Sequence, residues 1–342
     1  MTQSAKTTPF TIITGFLGAG KTTLLNHVLC GDHGCRLAVI VNEFGAVNID
    51  SQLIARHVGD GMLELTNGCV CCTVREDLRT GVQDLLKARS NGKLVFEHIV
   101  METTGLAKVG PIIQTLSSKT LKEVIHLGGV VTVVDTANIL TQLENFDEAA
   151  EQIGMADLLL LNKTDLADEA ALTGLTTRLS AINGMAQIIR CRRASIDVAN
   201  VLNLAAVRST DASVTSFDTL SAPGPPHASL DQVCSFVVQL SEPLDQGQVQ
   251  DWFSYVIMRH TERLLRYKGI LNIEGLKSRV VLQGVHGQIE VSADRDWLPG
   301  EARKTTVVFI GKDLPEKNIR EGLRGCIAVE QSAAQVIERK VR

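Results

Sequence analysis

The sequence predicts an α/β protein: a doubly wound, mostly parallel sheet followed by a smaller α+β domain. Three observations carry that prediction. Short, nearly continuous Val/Ile/Leu runs alternate with helical patterns over the first two-thirds of the chain, as a parallel sheet covered on both faces requires. A glycine-rich turn, G-x-x-x-x-G-K-T at 15–22, joins the first such run to the first helical pattern. A break in composition at 209–229 then separates a second set of elements.

In chain order, strands are expected at 11–14, 37–41, 98–101, 130–134, 158–161 and 187–189. Helical patterns fill about 22–30, 74–89, 109–119, 147–155, 168–182 and 197–206. Ligand should sit at the carboxyl ends of such strands. After the Ser/Pro/Gly-rich linker the pattern gives a strand at 233–240, a helix at 248–258, strands near 265–273, 279–285, 287–292 and 305–310, and a helix from 315. The expected domains are 1–208 and 230–326, joined by a linker at 209–229 and followed by a tail at 327–342 that reads as a frayed helix. No internal repeat is present.

Composition narrows the class. The 342 residues are 44% hydrophobic and 4% aromatic, so a sizeable core built from Leu, Ile, Val and Ala is expected. A formal net charge of −4, with neither end strongly basic, argues against nucleic-acid or membrane partners. The first nine residues lack an apolar leader, and the apolar runs fall far short of the ~20 residues of a membrane span. The expected location is cytoplasmic. Eight cysteines in a chain of this size do not make a disulfide scaffold, and three of them fall within four positions.

The turn at 15–22 is a complete P-loop, marking the first domain as a P-loop NTPase. Gly15, Gly18, Ala19 and Gly20 present backbone N–H groups to phosphate oxygens, and the following helix directs its positive end at the same anion. Lys21 should reach the β- and γ-phosphates; Thr22 should hold Mg²⁺ through its hydroxyl, beside Thr23. A second motif is Glu102-Thr103-Thr104-Gly105 at a strand end. A strand-end carboxylate orients Mg²⁺ or its water, and the Gly105 N–H can contact the γ-phosphate. A third, Asn162-Lys163-Thr164-Asp165, follows four leucines. Asp165 can accept two hydrogen bonds from guanine, a donor pair that adenine lacks; Asn162 and Lys163 brace the base and the loop. Arg193-Ala194-Ser195 is a candidate for the last base contact. These motifs imply GTP with Mg²⁺ as the nucleotide ligand.

Two segments carry further chemistry. In Cys69-Val70-Cys71-Cys72, an extended backbone places Cys69 and Cys71 on one face, and Cys72 needs a bend or another partner to converge with them. Such thiolates suit Zn²⁺, with Co²⁺ or Cu(I) as alternatives, and leave a fourth position open. The segment after the second strand contains Glu43 and Asp50, either of which could ligate Mg²⁺, position the attacking water or reach the thiols. Arg75 lies close to the cysteines in sequence.

Taken together, residues 15–22, Asn42-Glu43-Phe44-Gly45, Gly68-Cys69-Val70-Cys71-Cys72, Glu102-Thr103-Thr104-Gly105 and 162–165 resemble the CobW-like GTPases. Arg266-Tyr267-Lys268-Gly269 and Val307-Val308-Phe309-Ile310-Gly311 are similar to the C-terminal domain of that family, so the resemblance covers about 10–322. It implies slow GTP hydrolysis, transition-metal binding by the cysteine triplet, and delivery of zinc or cobalt to a client metalloprotein or metal-dependent enzyme. Catalytic roles fall on Lys21, Glu43 and Glu102; metal ligands are Thr22, Asp50 and Glu102 for Mg²⁺, and the three cysteines for the transition metal. A monomer or weak homodimer is expected. Two departures stand out. Val41 and Ala46 occupy positions where family members often carry acids, and the linker has His227 alone where many members carry a His-rich stretch. A GTP-regulated metal sensor or buffer is the alternative function. A small-molecule kinase is disfavoured by the Asn162–Asp165 motif.

Overall fold

The computed structural model describes residues 7–42, 62–65, 73–204, 233–285 and 287–328. The chain divides into two compact units between Ser235 and Phe236.

In the first unit, β1 (Thr8–Thr14) leads through the glycine-rich turn into α1 (Lys21–Cys30). There follow β2 (Leu37–Asn42), β3 (Met62–Leu65), α2 (Thr73–Ser90), β4 (His98–Glu102), α3 (Val109–Leu116) and β5 (Ile125–Asp135). Next come α4 (Ile139–Asn145), α5 (Asp147–Met155), β6 (Leu158–Asn162), α6 (Glu169–Ile182), β7 (Gln187–Arg190) and α7 (Ala199–Leu202). The seven strands form one sheet in the order β3-β2-β4-β1-β5-β6-β7, and every neighbouring pair is parallel. This is the expected P-loop NTPase arrangement.

Every residue of β4 and β6 is buried. One face of the sheet packs Ile13, Val39, Val100, Val131 and Leu160 against Leu24, Leu25 and Val28 of α1 and Val201 of α7. Ile12, Ile40, Met101 and Leu159, on the opposite face, are as fully buried. Each such side chain is worth about 1.5–3 kcal/mol of burial. The registers set Glu102 beside Ile13 and Val41, and Asn162 beside Asp135. Three acidic or amide groups thus end neighbouring parts of one sheet edge.

Several element boundaries differ from expectation. β5 begins at Ile125 rather than 130, because its glycines serve close packing: a Cβ at Gly129 would lie 2.6 Å from Leu204 Cδ1. The helix expected over 109–119 ends at Leu116. α7 is four residues long, and β3 and α4 had no counterpart in the reading of the sequence.

The second unit takes in β8 (Val233–Leu240) from Phe236 onward, then α8 (Gln246–His260), β9 (Leu264–Leu271), β10 (Ser278–Val285), β11 (Gln288–Asp296), β12 (Thr305–Lys312) and α9 (Glu316–Arg324). The sheet order is β11-β10-β9-β12-β8, antiparallel at β11/β10, β10/β9 and β9/β12. β11 runs on to Asp296, past the 292 expected for it. The core here is largely aliphatic, as expected, with Leu240, Leu244, Val249, Leu264, Leu282, Val307 and Leu323 among its buried side chains, but it also holds an aromatic cluster. Phe236, Phe253, Tyr267 and Phe309 form a stacked cluster, with ring centroids 5.4–6.5 Å apart. Scarce aromatics are concentrated in the smaller unit, where few large side chains must fill the core.

Candidate functional site

The P-loop is shaped by its glycines. Gly15 has φ 139°, and a Cβ there would come 2.2 Å from the Val133 carbonyl oxygen. Gly20 caps α1 at φ 109°, where a Cβ would meet Asn162 Nδ2 at 2.5 Å. Both positions are therefore closed to any side chain by backbone conformation and by space. Gly18 is exposed and Ala19 buried; Lys21 and Thr22 open the helix, with Thr23 exposed after them. Buried Lys21 donates from Nζ to the Phe16 carbonyl at 3.2 Å, closing the loop across its own mouth.

The loop after β4 is tied to the P-loop. The Thr22 hydroxyl donates to Glu102 Oε1 at 2.7 Å, and Glu102 is 6% exposed. The Thr103 hydroxyl donates to Thr14 Oγ1 at 2.8 Å, and the Thr103 N–H to the Ile13 carbonyl at 3.0 Å. Gly105 lies against Leu17 so closely that a Cβ would sit 2.7 Å from the Leu17 backbone nitrogen. A hydroxyl and a carboxylate already in contact at a helix N-terminus form the oxygen donor set that Mg²⁺ takes. At Gly15, Gly20 and Gly105 the turns beside them leave no room for a Cβ. The residues present fit a magnesium–nucleotide complex.

The third motif joins the same network. Asn162 Nδ2 donates to the Ala19 carbonyl at 2.9 Å, and its Oδ1 accepts the Ala194 N–H at 2.8 Å. The Cys191 thiol lies 3.6 Å from the same Oδ1, and burial pushes that thiol up to about 11. Lys163 adopts φ 61° and donates from Nζ to Asp135 Oδ2 at 2.8 Å. Burial alone would raise the Asp135 carboxyl; Lys163, the Asn138 amide and the Ala137 N–H outweigh it and hold it below the usual carboxylate range. Asp165 is exposed at the rim, free of the sheet's packing. Arg193 and Ala194 are left-handed, and the Ala194 N–H is given to Asn162.

The structure thus brings Lys21, Thr22, Glu102, Gly105, Asn162 and Lys163 to one end of one sheet, with Asp165 on the 3₁₀ turn that follows β6. Glu43, Asp50, Cys69, Cys71 and Cys72 lie outside the described residues, as do the side chain of Arg75, the linker and most of the tail. Among the described residues, no group of three or more His, Cys, Asp or Glu could hold a metal ion. No helix of the described residues is long and apolar enough to cross a membrane. The reading of the sequence missed Asp135, although a carboxylate ending the run Val-Val-Thr-Val-Val carries the same signal as Glu102.

Residues 9–190 match the model of the CobW/HypB/UreG nucleotide-binding domain, and 233–327 that of the cobalamin synthesis protein cobW C-terminal domain. The chain belongs to the CobW family. Within that family it is 39% identical over 319 residues to the zinc chaperone YjiA of Escherichia coli (strain K12), covering 92% of this chain and 97% of that protein. It is 31% identical over 349 residues to the zinc chaperone CobW of a Sinorhizobium species, covering 93% and 97%. The crystal structure of Zn(II)-bound YjiA GTPase from E. coli matches with a TM-score of 0.75 at 35% identity, over 95% of this chain and 100% of that one. The three nucleotide motifs fall inside the matched first domain.

Proposed function

We propose that this CobW-family chain binds GTP with Mg²⁺, hydrolyses it slowly, and uses the nucleotide cycle to load zinc onto client metalloproteins. One observation carries the nucleotide part: Asn162 bonds the P-loop carbonyl of Ala19 with one end of its amide and the Ala194 loop with the other. The base-reading motif and the phosphate loop are thereby one hydrogen-bonded unit. Lys21 and the loop N–H groups stabilise the charge on the transferring phosphoryl group, and Asp165 selects guanine. Thr22 and Glu102 would hold Mg²⁺, which would supply positive charge to offset that of the phosphates. Glu43 and Asp50 are the acids assigned to water positioning and to the metal. The zinc part rests on the thiol chemistry of Cys69, Cys71 and Cys72, and on relatives that are named zinc chaperones.

The test is a Co²⁺ titration of the full chain without nucleotide, with GDP and with a non-hydrolysable GTP analogue, read by thiolate charge-transfer absorption. The GTP state should bind metal more tightly by about 5–150-fold, with the reciprocal gain in nucleotide affinity. Cys71→Ser should remove the absorption and Cys191→Ser should not. Equal affinity in all three states would separate the two sites and defeat the cycle. Metal release that needs hydrolysis marks a chaperone; release unaffected by it marks a sensor or buffer.

A further inference from the structure

The loop between β4 and α3 contains Gly105, the residue assigned to the γ-phosphate, and its position is set from three sides. On one side it abuts the P-loop at Leu17. Along the strand, Thr103 is fixed to Thr14 and Ile13. From behind, Gln152 of α5 reaches out of the core. It is 1% exposed, and its Nε2 donates to the carbonyls of Gly105 and of Ala107, each at 3.1 Å. Its own carbonyl accepts the Thr132 hydroxyl of β5 at 2.7 Å, so this donor is anchored to the sheet. The same helical segment touches the P-loop at its other end, where the Phe146 ring lies 4.8 Å from that of Phe16.

We infer that Gln152 is a positioning residue for recognition of the γ-phosphate, an inference that rests on the GTP-binding reading above. One amide holds the carbonyls on both sides of Leu106, which fixes the backbone torsions that follow Gly105. Gly105 is thereby kept against the P-loop, where the third phosphate of GTP arrives and where GDP has none. α5 becomes part of the nucleotide switch without touching the nucleotide. An unanchored Gly105 would still permit GDP binding, because GDP depends on the P-loop and the Asn162–Asp165 motif, neither of which Gln152 contacts in these hydrogen bonds.

The experiment is calorimetric titration of the full chain with Mg·GDP and with a non-hydrolysable Mg·GTP analogue, in wild type, Gln152→Met and Gln152→Glu. Gln152→Met should leave GDP affinity unchanged and weaken the GTP analogue about tenfold or more, as loss of one hydrogen bond to a charged group implies. In Gln152→Glu, burial against two carbonyls favours the protonated acid, which keeps one donor. That variant should show a smaller loss, deepening as pH rises and the acid ionises. An unchanged ratio of the two affinities in a variant that binds GDP normally overturns the inference. Equal loss of both nucleotides in both variants does the same, by making Gln152 structural. A wild-type chain that binds neither nucleotide overturns the GTP reading itself.

Discussion

The two ends of the parallel sheet handle polar residues in opposite ways. At the carboxyl ends, Glu102, Asp135 and Asn162 are buried at 2–6% exposure, and each bonds a residue of a loop or helix start outside its own strand. The non-glycine left-handed residues described in this unit, Lys163, Arg193 and Ala194, also fall there. Towards the amino ends, buried polar groups join neighbouring strands and helices. His98 Nε2 lies 2.8 Å from Thr11 Oγ1, and Arg89 donates to the Thr8 hydroxyl. Strain and cross-loop bonding are gathered where a ligand is expected, and ordinary pinning is found where none is. Changes at the carboxyl ends should therefore alter function with the fold intact, and changes at the amino ends the reverse.

The strongest test of that division is Lys21→Ala. Its Nζ closes the P-loop rather than filling the core, so the far-ultraviolet circular dichroism should stay native. Phosphate release should fall by about 10²–10³-fold or more, the usual cost of losing a preorganised charge-stabilising group. Turnover surviving in a native-like Lys21→Ala chain would break the comparison at its centre. A smaller effect is expected from Asp165→Asn. GTP affinity should drop by about 1–3 kcal/mol, with relative use of xanthosine triphosphate rising, because the amide can no longer accept both guanine donors. Competition between the two nucleotides measures it, and an unchanged preference would remove Asp165 from the base site.

What could be read from sequence follows the same line. The run Leu158-Leu159-Leu160-Leu161 and the G-x-x-x-x-G-K-T turn are local statements, and the strand, the turn and the helix appear where they say. β3, four residues long, and α4, seven long, lie near the lower limit at which a period can be recognised. The strand expected from 130 takes in Gly128-Gly129 and begins at Ile125, and at Gly129 the Leu204 side chain occupies the space a Cβ would take. Asp135 holding Lys163 and Gln152 holding Gly105 span 28 and 47 residues. Only the strand order brings such pairs together, so no window of sequence contains them.

The smallest expected effect tests the amino-end half of the comparison. Burial lowers the His98 imidazole to about 4, with help from the charges of His126 and His33, against an ordinary value of 6.5. Between those two values the unfolded chain binds a proton that the folded chain refuses. Stability therefore rises with pH across that window and is lost as pH falls from about 6.5 towards about 4. The slope from this one group is at most about 1.4 kcal/mol per pH unit. His98→Gln keeps a polar partner for Thr11 and removes the titration. Denaturant melts at pH 7.5 and pH 5.0 should show a clear loss of wild-type stability at the lower pH and a flatter response in the variant. Nucleotide affinity at pH 7.5 should be the same in both chains, since His98 starts β4 and Glu102 ends it. An equal pH response in variant and wild type would assign the acid sensitivity elsewhere. A changed GTP affinity would show that the two ends of the sheet are not separable.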